Sequence, residues 1–471
     1  MILERSIASA GGQFLRFSDG LGRPCAVWCL LTLPDGPGPH PVVIHCPGGT
    51  QTVQEADLAW WNAQGFACIA FDWQHGLYGH HDPARKSSWP PGVVMQGLPA
   101  ADAGQLIIPL AVRAISSIID WLELDPRLAA DRVGITGISW GGYLAWVANA
   151  HEPRLRAAVP VYGCGGIFDP AHGCRVRLPG PARRAWLAGW EPTRLAARQR
   201  SPLCWLSATD DFFGWPRHGD PLIDAVPVPT RRCHLPNADH AVDAGMSGLA
   251  AAWMRRWLRG GPALPPGPSA SDPGEAWWTC STGADDHACW WPGRAPTWAT
   301  ARLLRTHHDG ITMSSRVERL VPRRAAPPLP DRWPDIRAGL GWNWGLGTTQ
   351  LHGNAGVGVE ALPGDPSRGI VSGNRAGPLA VILRMTADPR WNRPGFAGMR
   401  IRLEAPTREV TVQFRPQRPG SRPAMAMQVA VEEGWIRLDR LPPGLTWAET
   451  TRIDLEGIPG PRFGVGPVQR L

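Results

Sequence analysis

Through the first half of the chain, short apolar runs alternate with longer stretches whose apolar positions recur at helical spacing. Four runs read as buried strands, at 41–45, 67–71, 132–136 and 157–161. Helical spacing predicts helices over 55–64, over about 106–122, and from Ser139 onward. Two further strands, at 203–207 and about 228–235, precede a closing helix over 244–258. In that helix Trp253, Trp257 and Leu258 make a stripe that faces a core. Continuous apolar strands separated by helices predict an α/β fold: a mostly parallel sheet covered on both faces.

The pattern changes at Gly260. Gly261-Pro262-Ala263-Leu264-Pro265-Pro266-Gly267-Pro268-Ser269 is a linker by composition. Beyond it, helical periodicity gives way to short alternating runs at 399–403, 409–414 and 427–431, which predict antiparallel strands. The expected organisation is a catalytic α/β unit over 1–260, a linker with a small β segment over 261–325, and a β-sandwich over 326–471. Pro327-Pro328 and Trp333-Pro334 mark the second boundary.

A chain of 471 residues exceeds what one core usually organises, which agrees with two or three domains. With 43% hydrophobic and 19% charged residues it is ordinary globular material, and its 55 Gly and 50 Pro mean many turns. The net charge of +8 does not point to nucleic acid. The basic residues are Arg apart from Lys86, and they fall singly or in pairs such as Arg183–Arg184, not in a stripe. The ten Cys include no CxxC and no zinc-ligand spacing, so they read as free buried thiols, and no metal or cofactor is expected. His80-His81-Asp82 has no paired ligand nearby and reads as a surface loop. No run of about 18 apolar residues exists, so no membrane partner is expected. The first residues lack the apolar core of a signal peptide. The chain as given is expected to be soluble and cytoplasmic, unless an export signal precedes it.

One motif carries chemistry. Gly137-Ile138-Ser139-Trp140-Gly141-Gly142 matches G-x-S-x-G, follows a strand-like run and opens a helix. A strand that turns this sharply into a helix leaves no room for side chains two residues either side of the serine. The turn lifts the hydroxyl above the sheet and aims the helix N-terminus at a developing oxyanion. Such a nucleophile requires an acid and a histidine in later loops, in that order. After the strand at 203–207 comes Ala208-Thr209-Asp210-Asp211-Phe212, in which either carboxylate could serve; spacing favours Asp211. After the next strand, His240 lies just before the closing helix, where the general base belongs. His234 lies within the strand and reads as structural, and Asp239 as a turn residue. The Trp140 N–H is the expected first oxyanion donor. The second comes from His45-Cys46-Pro47-Gly48-Gly49-Thr50; Pro47 has no N–H, which leaves Gly48 or Gly49. His45 reads as holding that loop. Trp73, Trp89 and Trp215 flank these loops, and their aromatic faces would suit a sugar ring.

The run Arg132-Val-Gly-Ile-Thr-Gly-Ile-Ser139-Trp-Gly-Gly-Tyr143, followed by Arg156-Ala-Ala-Val-Pro-Val-Tyr-Gly-Cys-Gly165, resembles bacterial acetyl xylan esterase-like hydrolases, relatives of the dienelactone hydrolase and prolyl oligopeptidase groups. The likeness covers about residues 40–260. It implies an α/β-hydrolase fold, the acid at Asp211 within a Thr-Asp-Asp-Phe string, and a small carbohydrate-derived ester as substrate. Thr50 and Phe71-Asp72-Trp73 also fit. It departs at Asn237-Ala238-Asp239-His240, where the family has a shorter histidine string. Two other readings stay open. One is a serine peptidase of the prolyl oligopeptidase or X-prolyl peptidase type, although strands that begin by about residue 41 leave no room for an N-terminal propeller. The other is a non-catalytic carbohydrate-binding protein on a hydrolase scaffold. In that case the C-terminal β region, with Trp342, Trp344, Trp391, Trp435 and Trp447, resembles a carbohydrate-binding-module sandwich; packing or dimerisation is the plainer role for it.

Overall fold

The computed structural model describes residues 2–9, 12–18, 26–49, 53, 55–73, 87–88, 107–169, 178, 180–209, 211, 213–236, 240, 242–269, 271, 274–279, 290–294, 296–297, 299–322, 340–341, 358–372, 379–384, 397–416, 425–447, 450–459 and 462–471. Nine strands form the first sheet: β1 (Ile2–Ser9), β2 (Gly12–Ser18), β3 (Ala26–Thr32), β4 (His40–Cys46), β5 (Ala67–Phe71), β6 (Leu128–Ile138), β7 (Leu155–Val161), β8 (Leu203–Ala208) and β9 (Thr230–Leu235). Their order is β1-β2-β3-β5-β4-β6-β7-β8-β9. Neighbours from β5 to β9 run parallel, while β1, β2 and β3 are antiparallel additions at one edge. This is the α/β-hydrolase arrangement. The sequence reading begins the core at residue 41 and so misses three strands: β1 and β2 carry Arg and Ser among their apolar positions, whereas β3 (Ala26–Thr32) is a continuous buried apolar run that the reading passes over.

Alternation along the strands explains why helices cover both faces. Val42 and Ile44 of β4 join one buried cluster with α2 (Ile107–Leu122) and α3 (Trp140–His151). Val43, between them, joins a second cluster with α1 (Glu55–Ala63) and α7 (Ala244–Arg259). Three further helices, α4 (Gly180–Gly189), α5 (Pro192–Leu195) and α6 (Pro216–Asp224), fill the later crossovers. Asp243 caps α7 by accepting from the Met246 N–H at 2.8 Å, and Gly260 ends it in the left-handed region at φ 65°. Strand β4 has β5 on one side and β6 on the other, so the crossovers diverge there and open a crevice at the carboxyl ends of the strands. The loops after β4, β6, β7, β8 and β9 all start from that rim.

A second, antiparallel sheet consists of β10 (Glu275–Thr279), β11 (Trp291–Pro292), β12 (Ala301–His308), β13 (Ile311–Ser314) and β14 (Glu318–Arg319). Asp309 and Gly310, both at positive φ, make the tight turn between β12 and β13. This hairpin packs on α7: Met313 belongs to the same buried cluster as Leu249 and Trp253. A Cβ on Gly245 would lie 2.0 Å from Thr312 Oγ1, and one on Gly248 2.0 Å from Gly310 O.

Ten further antiparallel strands, from Leu340–Gly341 to Arg462–Arg470, form the third sheet. Val412, Phe414, Leu455, Ile401, Leu403 and Val465 contribute to one buried cluster within it. Trp447 packs edge-on against Phe414, and the Arg400 and Arg402 guanidinium groups sit over Trp435. Trp342, Trp344 and Trp391 lie outside the described residues.

Candidate active site

Ser139 follows the last residue of β6 and caps α3 with φ 59° and ψ −117°, a conformation a non-glycine residue adopts only under strain. The glycines around it show what the bend requires. A Cβ on Gly137 would lie 2.3 Å from Gly141 O, and one on Gly141 1.9 Å from Cys46 O. Gly163 could not carry one either, since it would meet Ser139 O at 1.9 Å. The Ser139 N–H donates to Val161 O at 2.9 Å, which ties the elbow to the end of β7. Its Oγ is buried and has no hydrogen-bond partner among the described residues. A buried hydroxyl left unsatisfied calls for an explanation, and poising for reaction is one.

Asp211, after β8, and His240, after β9, meet beyond the carboxyl ends of those strands. Asp211 is fully buried; its Oδ1 accepts from the N–H groups of Phe213 and Gly214, each at 2.6 Å. That leaves Oδ2 for His240 Nδ1, at 2.7 Å. A carboxylate can only accept there, so Nδ1 is the donor and Nε2 is the nitrogen turned away from the acid. The alternative acid Asp210, and Asp239 beside the histidine, lie outside the described residues.

Tyr162 ties His240 to the end of β7, where the Ser139 backbone is also held. It turns the chain after β7 at φ 63°, and its ring centroid lies 4.0 Å from that of His240. Its chain neighbours Val161 and Gly163 both lie against the Ser139 backbone. Ser139 and His240 therefore both lie against one segment, Val161 to Gly163. The sequence reading assigned Tyr162 no role; an aromatic after a strand is an ordinary core residue until its partners are known.

Trp140, the first residue of α3, presents a backbone N–H that needs no partner within the helix, and its indole packs on Phe213 and Tyr143. Gly49 approaches that indole so closely that a Cβ would lie 2.8 Å from Trp140 Cδ1. Gly48 and Gly49 therefore border the elbow. Two contacts hold their loop. Trp73 is buried and donates its indole N–H to Pro47 O at 2.9 Å. His45 Nε2 lies 3.4 Å from Asp57 Oδ2, both buried, which ties the end of β4 to α1. Trp215 is also buried and stacks on His218. Thr50, Trp89 and the His80-His81-Asp82 string lie outside the described residues. Among those described, no three His, Cys, Asp or Glu side chains gather as metal ligands.

Behind the elbow helix lies a carboxylate that no sequence pattern marked. Glu191 accepts from Tyr143 Oη at 2.9 Å and from Gly166 N–H at 2.6 Å; the Trp186 indole in turn donates to Tyr143 Oη at 2.7 Å. Burial raises the Glu191 carboxyl above its ordinary range despite these donors. His234 lies in β9, with its Nε2 at 3.0 Å from Asp220 Oδ1. Asp220 also takes Arg232 at 2.7 Å and the Val317 N–H at 2.8 Å. Burial works against the Asp220 charge, but His234 and Arg232 outweigh it and lower its pKa.

The family model for X-Pro dipeptidyl-peptidase (S15 family) matches residues 104–201, the stretch that contains the elbow. No curated protein matches the chain. Among solved structures, the chain is similar to an acetyl xylan esterase from Paenibacillus sp. R4, at 15% identity and TM-score 0.44, over 55% of this chain and 88% of that one. It is also similar to acetyl xylan esterase 1 from Thermoanaerobacterium sp. JW/SL YS485, at 18% identity and TM-score 0.43, over 54% and 86%. A puromycin-hydrolyzing peptidase of Mycobacterium tuberculosis is similar at 18% identity and TM-score 0.38, over 53% and 40%.

Proposed function

We propose that this chain is a serine hydrolase that cleaves a small carboxylic ester through an acyl-enzyme. Ser139 is the nucleophile, His240 the general base and Asp211 the residue that orients it. The observation that carries this reading is the Asp211–His240 hydrogen bond, held against Tyr162 beside a strained, buried serine at the mouth of the parallel sheet. His240 Nε2 takes the Ser139 proton as Oγ attacks the carbonyl carbon. The resulting oxyanion is stabilised by the Trp140 N–H and an N–H of Gly48 or Gly49. When the tetrahedral adduct collapses, the imidazolium protonates the leaving alcohol. A water activated by the same nitrogen then releases the acid and restores Ser139. An acetylated sugar is the favoured substrate class, with catalysis assigned to the 1–260 unit and supporting roles to the 261–325 and 326–471 units.

The S15 family match favours a second reading, cleavage of an amide after proline. The same triad would serve, because acyl transfer to serine is common to both. p-Nitrophenyl acetate is expected to be hydrolysed, with activity lost in Ser139→Ala; undiminished turnover in that variant sinks the assignment. Acetylated xylo-oligosaccharide compared with an X-Pro p-nitroanilide separates the two substrate classes, and a preference for the anilide reverses the ranking.

A further inference from the structure

The loop that carries His240 runs from the end of β9 to the cap of α7, and the second sheet holds it at both ends. At the near end, the His234 N–H donates to Ser314 Oγ at 2.9 Å. At the far end, Arg305 Nη2 lies 2.7 Å from Asp243 Oδ2, while Asp243 Oδ1 caps α7. Arg305 and Ser314 sit directly opposite one another on β12 and β13. Arg305 is buried, with Glu275 of β10 as its second acidic neighbour at 3.8 Å. One cross-strand pair thus spans the histidine loop.

We infer that the second sheet is a clamp on the general base, with Arg305 and Ser314 as positioning residues that act through Asp243 and His234. This rests on the serine hydrolase reading for its catalytic consequence, but not for its mechanical one. An imidazole must hold its place between acid and nucleophile to within a fraction of an ångström. The histidine ring is hydrogen-bonded to the acid, and the clamp fixes where its loop begins and ends.

The test uses the full chain with Arg305→Met and, separately, Asp243→Asn. Asparagine keeps an N-cap acceptor but gives up the charge that pairs with Arg305. Hydrogen exchange of peptides covering 235–246 is expected to quicken by at least about tenfold in both variants, with β4 and β6 peptides unchanged. For p-nitrophenyl acetate, kcat is expected to fall by about 10²-fold with KM within about twofold of wild type, and labelling of Ser139 by a serine-directed phosphonate to slow in parallel. Arg305→Lys restores part of the loss. Should Arg305→Met fail to fold, Asp243→Asn decides. Unchanged exchange in that variant overturns the clamp, as does unchanged kcat in an enzyme that labels normally. If wild-type Ser139 resists the phosphonate, the hydrolase reading fails instead, and exchange alone then judges the clamp.

Discussion

Ser139 is held by its neighbours' lack of side chains more than by any bond of its own. The close approaches at Gly137, Gly141 and Gly163 are to backbone atoms, which cannot move aside as a flexible side chain can. Gly141→Ala would press on Cys46 O and Pro47 O together, the start of the loop expected to supply an oxyanion donor. The expected loss is roughly 3 kcal/mol of stability, as for other forced overpacking. A urea titration beside an esterase assay checks this; a variant with an unshifted midpoint would mean that the elbow has more slack than these distances allow.

At the scale of elements, α3 depends on the segment that follows it. Tyr143 lies one turn beyond Ser139 and takes the serine carbonyl through its own N–H at 2.9 Å. Its hydroxyl reaches Glu191, at the start of α5, and accepts from Trp186 in α4. Because burial raises the Glu191 carboxyl, the unfolded chain gives up that proton at lower pH than the folded one does. In the window from the ordinary carboxylate range up to the raised value, the folded state binds more protons, so stability falls as pH rises. Glu191→Gln cannot ionise and is expected to flatten that decline. Thermal unfolding followed from pH 4 to 8 reads it directly, and an equally steep decline in the variant would remove Glu191 as its source.

Across the whole molecule, the second sheet is not an appendage on a linker. Met313 is buried in the same cluster as Leu249, Trp253 and Met254 of α7, and the Val317 N–H donates to Asp220 of α6. Met313→Ala is expected to cost about 2–5 kcal/mol, the range for a core methionine, although the residue lies more than fifty positions beyond the closing helix. Denaturant unfolding followed by fluorescence and by far-ultraviolet dichroism should shift as one transition. Separate transitions, with only the minor one moved, would show that the sheet folds apart from the first, mostly parallel sheet and its helices. No described helix is long and apolar enough to cross a membrane.

The sequence by itself determined the parallel core and the elbow. Continuous apolar runs can be buried only between two layers of helices, and Gly137-Ile138-Ser139-Trp140-Gly141 encodes a bend through local sterics alone. It also ordered the later loops well enough to single out Asp211 and His240. Other features belonged to the tertiary structure because they join residues distant in the chain. The strands β1, β2 and β3 take their place by successive antiparallel pairing, β1 on β2, β2 on β3 and β3 on β5, the last of which joins residues distant in the chain. Tyr162 matters only because β7 lies between the serine and histidine loops. Glu191 gains its surroundings only when Tyr143 and Gly166 close over it. The grip of β12 and β13 on the His240 loop joins residues some sixty to eighty positions apart. Local pattern records what a segment buries, but not what it is buried against.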